Sequence, residues 1–367
     1  MMSTRKMAMT VTGSLAACVI VVAGSLGAPV RGGTDGSVGD AHAGYDARVN
    51  SGEDTASVPG SGPARGLFAD DSPWNTPIPK APLIDPASDA LIERFAHEYA
   101  TTSAGAFWIS VDEWSVTVFW ADDSTPRYDV PLRAAGTWAP VEAATFLQVP
   151  IPDDAVPDPS DDGHMVIVSE PTGFMYEFWQ ARKVDGTWEA SWGNRTPIGG
   201  SGFYPGGLSC RGAGVALLAG MIWPEELETG EIRHALAFSH TFNRAGGPVA
   251  PATESDGDHD DSLALPEGAR LQLDPNLDLD TLDLEPWQKA IAQAMQRYGM
   301  INIDNSGSVE LEVINPLSFA SDPYPAGAFD AGFSSLPVTR FRVIEMGPQD
   351  GDYDVAQYLD DPSSHGP

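Results

Sequence analysis

Residues 161–182, DDGHMVIVSEPTGFMYEFWQAR, decide the fold class. Two apolar runs, Met165 to Val168 and Phe174 to Trp179, flank Glu170-Pro171-Thr172-Gly173, and that pattern reads as two strands joined by a tight turn. In the second run Phe174, Tyr176 and Phe178 share one face, and Met175, Glu177 and Trp179 take the other. The first face is expected to be core; the second carries a carboxylate beside an indole. Glu231 to Ser239, EIRHALAFS, repeats the design, with Ile232, His234, Leu236 and Phe238 on one side and Glu231, Arg233, Ala235 and Ala237 on the other.

Working outward, the period of two persists. Ala106 to Ser110, Val116 to Trp120, Arg127 to Leu132, Thr145 to Val149 and Gly186 to Ser191 are short runs divided by Asp, Ser, Gly and Pro. PEGARLQL (266–273), Met300 to Ile303, Ser308 to Ile314 and Thr339 to Met346 continue the series. Such spacing predicts a mainly β domain, an antiparallel β-sandwich of jelly-roll type. Two peripheral helices accompany it. One spans Pro86 to Tyr99, capped by Asp85, with Leu91, Phe95 and Tyr99 as its stripe. The other runs from Leu284 to Tyr298, capped by Asp283, with Trp287, Ile291, Met295 and Tyr298 inward and Gly299 as its stop. The Gly-rich segment 198–220 lets backbone approach another surface closely, either as the rim of a groove or as a crossover packed on a sheet.

The ends of the chain speak to location. Arg5 and Lys6 precede Met7 to Ala28, which are apolar or small almost throughout, and this is the layout of a secretory signal over residues 1–28. A retained anchor is the alternative, and Leu15-Ala16-Ala17-Cys18 resembles a lipobox. Residues 29–65, rich in Gly, Ser, Asp and Ala, read as a disordered linker, 66–346 as one domain and 347–367 as a flexible tail. With the signal removed only Cys210 is left, so no internal disulfide is expected, and its Gly-rich surroundings mark it as a small buried residue.

The formal charge is −32, from 52 acidic and 20 basic residues. A surface of that sign repels phosphate backbones and anionic lipid, which argues against nucleic acid and against a membrane partner beyond the N-terminus. It also disfavours a strongly anionic polymer unless Arg residues collect locally. A monomer acting on an extracellular polysaccharide or glycan is the expected role.

Two carboxylates facing each other about 5 to 10 Å apart are the minimum apparatus for glycoside hydrolysis. Glu177 and Glu231 are the candidates; Trp179 would stack on a sugar ring and Arg233 would orient a hydroxyl. A competing lyase reading uses His164, His234, Tyr176 and Arg270, a base removing the proton beside a uronate carboxylate while Arg neutralises it. A third reading is a non-catalytic binding or envelope protein, with Trp108, Trp114, Trp120 and Trp179 as an aromatic platform. Asp256, Asp258 and Asp260, with Glu267 at the twelfth place, have the spacing of a calcium loop, although Asp261 stands where the turn needs Gly. No Cys/His cluster, HExxH or phosphate loop is present, and Ser209 lies outside any GxSxG pattern, so no cofactor is expected.

The order of Tyr176-Glu177, Glu231-Ile232-Arg233-His234-Ala235-Leu236, Pro266-Glu267-Gly268-Ala269-Arg270, and Arg297-Tyr298-Gly299-Met300 with Asp304-Asn305 resembles an uncharacterised family of secreted, mostly actinobacterial proteins. The resemblance covers residues 66–320 and implies export without implying a reaction; Asp304 is also among the candidate substrate-binding residues. Between His240 and Pro266, where that family is Trp-Pro-rich, this chain has a Gly- and Asp-rich loop.

Overall fold

The computed structural model describes residues 66–134, 145–204, 209–324 and 333–350. The expected signal (1–28), the linker (29–65) and the tail beyond residue 350 lie outside the described residues. Along the chain come α1 (Ser88–Thr102), β1 (Thr117–Ala121), β2 (Arg127–Pro131), β3 (Thr145–Pro150), β4 (Met165–Ser169), β5 (Phe174–Trp179), β6 (Arg182–Val184), β7 (Thr187–Glu189) and β8 (Trp192–Pro197). They are followed by α2 (Pro224–Thr229), β9 (Leu236–His240), β10 (Arg270–Leu273), α3 (Pro286–Arg297), β11 (Met300–Asn305), β12 (Glu310–Leu311) and β13 (Phe341–Val343). Among the described residues, then, the protein is mostly β.

The predicted hairpin is β4–β5, paired antiparallel from Met165 opposite Phe178 to Ser169 opposite Phe174, with Gly173 at φ +75° closing the turn. It forms the centre of a four-stranded sheet in the order β1-β4-β5-β8. A second sheet has five strands, β12-β9-β11-β10-β13; β2–β3 and β6–β7 are separate hairpins. Neither large sheet is purely antiparallel. β1 lies parallel to β4, and β9 parallel to β11. The all-antiparallel jelly-roll expectation gives way here, since a parallel pair needs a long crossover and not a hairpin. Every residue of β4 is buried, as an unbroken apolar run with both faces covered requires.

What covers those faces positions everything else. Over Tyr176 and Phe178 lies the β2–β3 hairpin, whose Phe146 ring is 5.5 Å from that of Tyr176 and 5.8 Å from that of Phe178. On the Glu177 side lies the Gly-rich crossover, with Ala213, Val215, Ala216, Leu217 and Leu218 buried in the same apolar cluster as β4, β5, Ala237 and Ile301. Gly220 shows why glycine is needed there: at φ +73°, a Cβ would stand 2.4 Å from the Trp74 ring and 2.5 Å from the Ala237 nitrogen. A second cluster joins Leu91, Phe95 and Tyr99 of α1 and Ile291 and Met295 of α3 to Leu236, Phe238, Leu271 and Met300 of the five-stranded sheet.

Both expected helices form, a few residues displaced. Asp85 does bond the Ala87 amide (2.8 Å), but helical turns begin at Ser88. The second helix starts after a reciprocal cap between Glu285 and Gln288, not at Asp283, and ends before Gly299 at φ +76°. The strand expected over 231–239 is displaced further: residues 231–235 leave α2 as an irregular approach, and pairing begins at Leu236.

Candidate functional site

The paired-carboxylate arrangement is not assembled. Glu177 is 0% exposed, because the crossover covers its side of β5. Thr196 donates to one carboxylate oxygen (2.8 Å) and Asn194 to the other (3.3 Å), and the Leu217 amide and the Tyr204 hydroxyl also bond the group. Burial pushes the Glu177 pKa up to about 7 against those bonds. Glu231 is solvent-exposed just beyond Gly230, the left-handed cap of α2, and pairs with Arg233 at 2.6 Å. One acid is enclosed and the other stands at the surface, so they share no cleft.

The histidines are structural, too. His164 is buried with its Nε2 3.2 Å from the Cys210 carbonyl, and burial, then the Arg211 charge, lower its pKa. His234 is buried between the Glu226 carboxylate (3.1 Å) and the Ala235 carbonyl (2.8 Å). Arg270 donates to the Tyr298 carbonyl (2.8 Å) and to the Thr76 carbonyl (2.9 Å), closing the end of α3 against the N-terminal segment. Burial brings its pKa down to about 10. Trp179 donates its indole N–H to Asp162 at 3.0 Å. Cys210 is buried as expected, its thiol pKa raised by burial and then by the Glu177 charge.

Of the lyase set, Tyr176 opens onto a cavity. That cavity, about 240 Å³, is lined by Arg127, Leu147, Gln148, Thr172, Phe174, Tyr176 and Arg195. Its construction follows from the register. Tyr176 of β5 stands opposite Arg195 of β8, so their side chains leave the sheet on the same face, and Phe174 lies two residues along. The guanidinium of Arg195 sits 4.2 Å from the centre of the Phe174 ring. From above, β2 and β3 supply Arg127, Leu147 and Gln148, and Arg127 donates to the Gln148 carbonyl at 3.0 Å. Gln148 is held at φ +53°, a conformation that costs a non-glycine residue energy, by Asp129, which accepts from its backbone and side-chain amides at 2.9 Å each. The face that the strand pattern marks as plain core therefore carries the cavity, and the face it marks as the groove is sealed.

Asp304 does meet other acids, away from this cavity. It lies near the end of β11 with Asp256 and Glu267, and Arg211 approaches it at 3.8 Å. Burial, then the charge of Asp256, push both the Glu267 and the Asp304 pKa well above the ordinary carboxylate range. Asp258 and Asp260 stay at the surface outside this group, so the spacing of a calcium loop is not realised as a loop. No family model, curated protein or solved structure matches the chain. The expected family resemblance gains no support from these comparisons, and several of its motif residues do packing work: Gly299 turns the chain from α3 into β11, Arg270 holds the Tyr298 carbonyl, and Ile232 and His234 are buried beside α2. Among the motif residues only Tyr176 lines the cavity.

Sequence reasoning missed Arg127 and Arg195. Arg195 lies in WGNRTP, a strand without alternation because five of its six residues are buried. The sequence marks it only as a cation in a chain with few cations, since the pairing of its strand with the hairpin is not legible there.

Proposed function

We propose that the protein is an exported carbohydrate-binding protein that takes one acidic sugar unit, a uronate, in the cavity beneath the β2–β3 hairpin. The observation that carries this reading is the convergence of Arg127 and Arg195 with Phe174 and Tyr176 on one hollow, in a chain of net charge −32. Two guanidinium groups suit a carboxylate, which they can bond bidentately. Phe174 and Leu147 offer apolar surface to a ring, while Thr172, Gln148 and Tyr176 offer partners to hydroxyls. The volume lies below the roughly 300–1,000 Å³ of sites for drug-sized ligands, so a single ring fits the hollow better than a run of several. Among the described residues the lining is basic, amide, hydroxyl and apolar, a set suited to holding a sugar. Export is part of the same proposal and rests on the basic start and apolar run of residues 5–28.

Titration calorimetry with oligouronates and with neutral oligosaccharides of equal length tests this. Acidic oligomers are expected to bind and neutral ones not to. Arg127→Gln, at an exposed position, should weaken binding about tenfold or more, as loss of a charged hydrogen bond does. Equal affinity for neutral sugars, or full affinity in Arg127→Gln, would overturn the reading. Unsaturated uronate appearing in the same mixtures, and lost in Tyr176→Phe, would move the assignment to lyase chemistry.

A further inference from the structure

Two distant stretches bring three carboxylates together: Asp256 and Glu267 belong to the loop after β9, and Asp304 to β11. One oxygen from each lies within 4.8 Å of the others. Because β9 and β11 are parallel neighbours, the loops leaving both strands start side by side, which is how residues so far apart in sequence come to meet. Acidic side chains cluster readily in a chain of this composition, so proximity alone decides nothing. Glu267 adds a separate fact. Its side chain is wholly buried; Oε2 accepts the Asp256 amide at 3.2 Å and the Ser255 and Asp256 side chains also reach the carboxyl, yet Oε1 is enclosed without a hydrogen bond of good geometry. An enclosed carboxylate oxygen without a donor is costly, and native structures almost always satisfy such atoms.

We propose that Asp256, Glu267 and Asp304 form a calcium-binding site that ties the loop after β9 to the end of β11. The donor set is entirely carboxylate oxygen, which selects a hard cation over zinc or copper. Calcium bonds oxygen at about 2.3–2.6 Å, so oxygens around one ion lie within about 5 Å of one another, as these three do; magnesium dehydrates reluctantly and keeps several waters, which suits an enclosed carboxylate set less well. Gly212 of the crossover bounds the site. A Cβ there would stand 2.8 Å from the Asp256 Oδ1, so glycine leaves room for that carboxylate. Arg211 is shared between Asp304 (3.8 Å) and Glu312 (3.3 Å), and this one guanidinium leaves the trio with excess negative charge. Asp256 and Glu267 are eleven residues apart, the interval from the first to the last ligand of a calcium loop; here Asp304 supplies from another strand what Asp258 and Asp260 do not.

The full chain, stripped with chelator, is titrated with calcium chloride or magnesium chloride by calorimetry, with thermal unfolding followed in parallel. One calcium per chain should bind, and about 1 mM calcium should raise the unfolding temperature by several degrees, as mass action requires of a ligand held only by the folded state. Magnesium should do much less. Glu267→Gln and Asp304→Asn should both lose the calcium response, and Asp258→Asn should keep it. No heat and no thermal shift in the parent protein would overturn the proposal whatever the variants do. So would an equal response to magnesium, or a full calcium response in either Glu267→Gln or Asp304→Asn.

Discussion

Glu98 and Glu177 are both buried carboxylates, yet their surroundings drive them in opposite directions. Burial raises Glu98 too, but His240, bonded to it at 2.9 Å, outweighs this together with the Thr241 and Phe242 amides, and its pKa falls below the ordinary value. Around Glu177 the bonded donors are neutral, so burial prevails and the pKa rises to about 7. For a carboxyl raised in the folded state, the proton is bound more tightly there than in the unfolded chain. The stability that follows is complete below the unfolded pKa of about 4.5 and is lost as pH climbs through about 7. The loss is on the order of 3 kcal/mol. Glu177→Gln keeps the shape and removes the ionisation, so urea unfolding at pH 5 and pH 8 should differ less in this variant than in the parent. If the two proteins lose stability in parallel between those values, the assignment to Glu177 is wrong.

Elements whose signals are local were legible; those made by distant partners were not. The β4–β5 hairpin declares itself in one continuous stretch, as do α1 and α3, whose stripes recur every three or four residues. β8 passes unnoticed because Gly193 and Asn194 interrupt it and burial on both faces erases alternation. The pairing of β1 with β4 has no sequence signal at all, since nothing near Thr117 says that it stands beside Met165. Misjudging the face of β5 has the same origin: Glu177 is buried by residues some forty positions onward, in a segment whose glycines admit either a rim or a crossover. The crossover can be tested directly. Gly220→Ala would force a Cβ against Trp74 and the Ala237 backbone from a left-handed conformation, and backbone cannot yield as a flexible side chain can. It should cost about 3 kcal/mol or more in urea unfolding. Gly173→Ala, where nothing lies within 4 Å, keeps the backbone penalty without the clash and should cost about 1 kcal/mol. Equal losses at the two positions would mean that the crossover is not packed this tightly.

At the scale of the whole molecule, net charge and local charge act against each other. Composition made the acidity plain, and with it the poor prospects of anionic partners in general; it could not show that β2 and β8 bring two of the sixteen arginines to one hollow. This contrast gives salt two opposite effects. A chain of net charge −32 repels itself when compact, and screening relieves that repulsion, so the unfolding temperature should rise between low salt and about 0.5 M sodium chloride. Potassium chloride should act equally, which separates screening from specific cation binding. Affinity for an acidic sugar should fall over the same range, because there salt screens an attraction. Thermal unfolding and titration calorimetry on one preparation check both. Stability insensitive to salt would show that the acidic groups are too dispersed to interact, and an affinity that salt leaves unchanged would remove the arginines from the binding reaction.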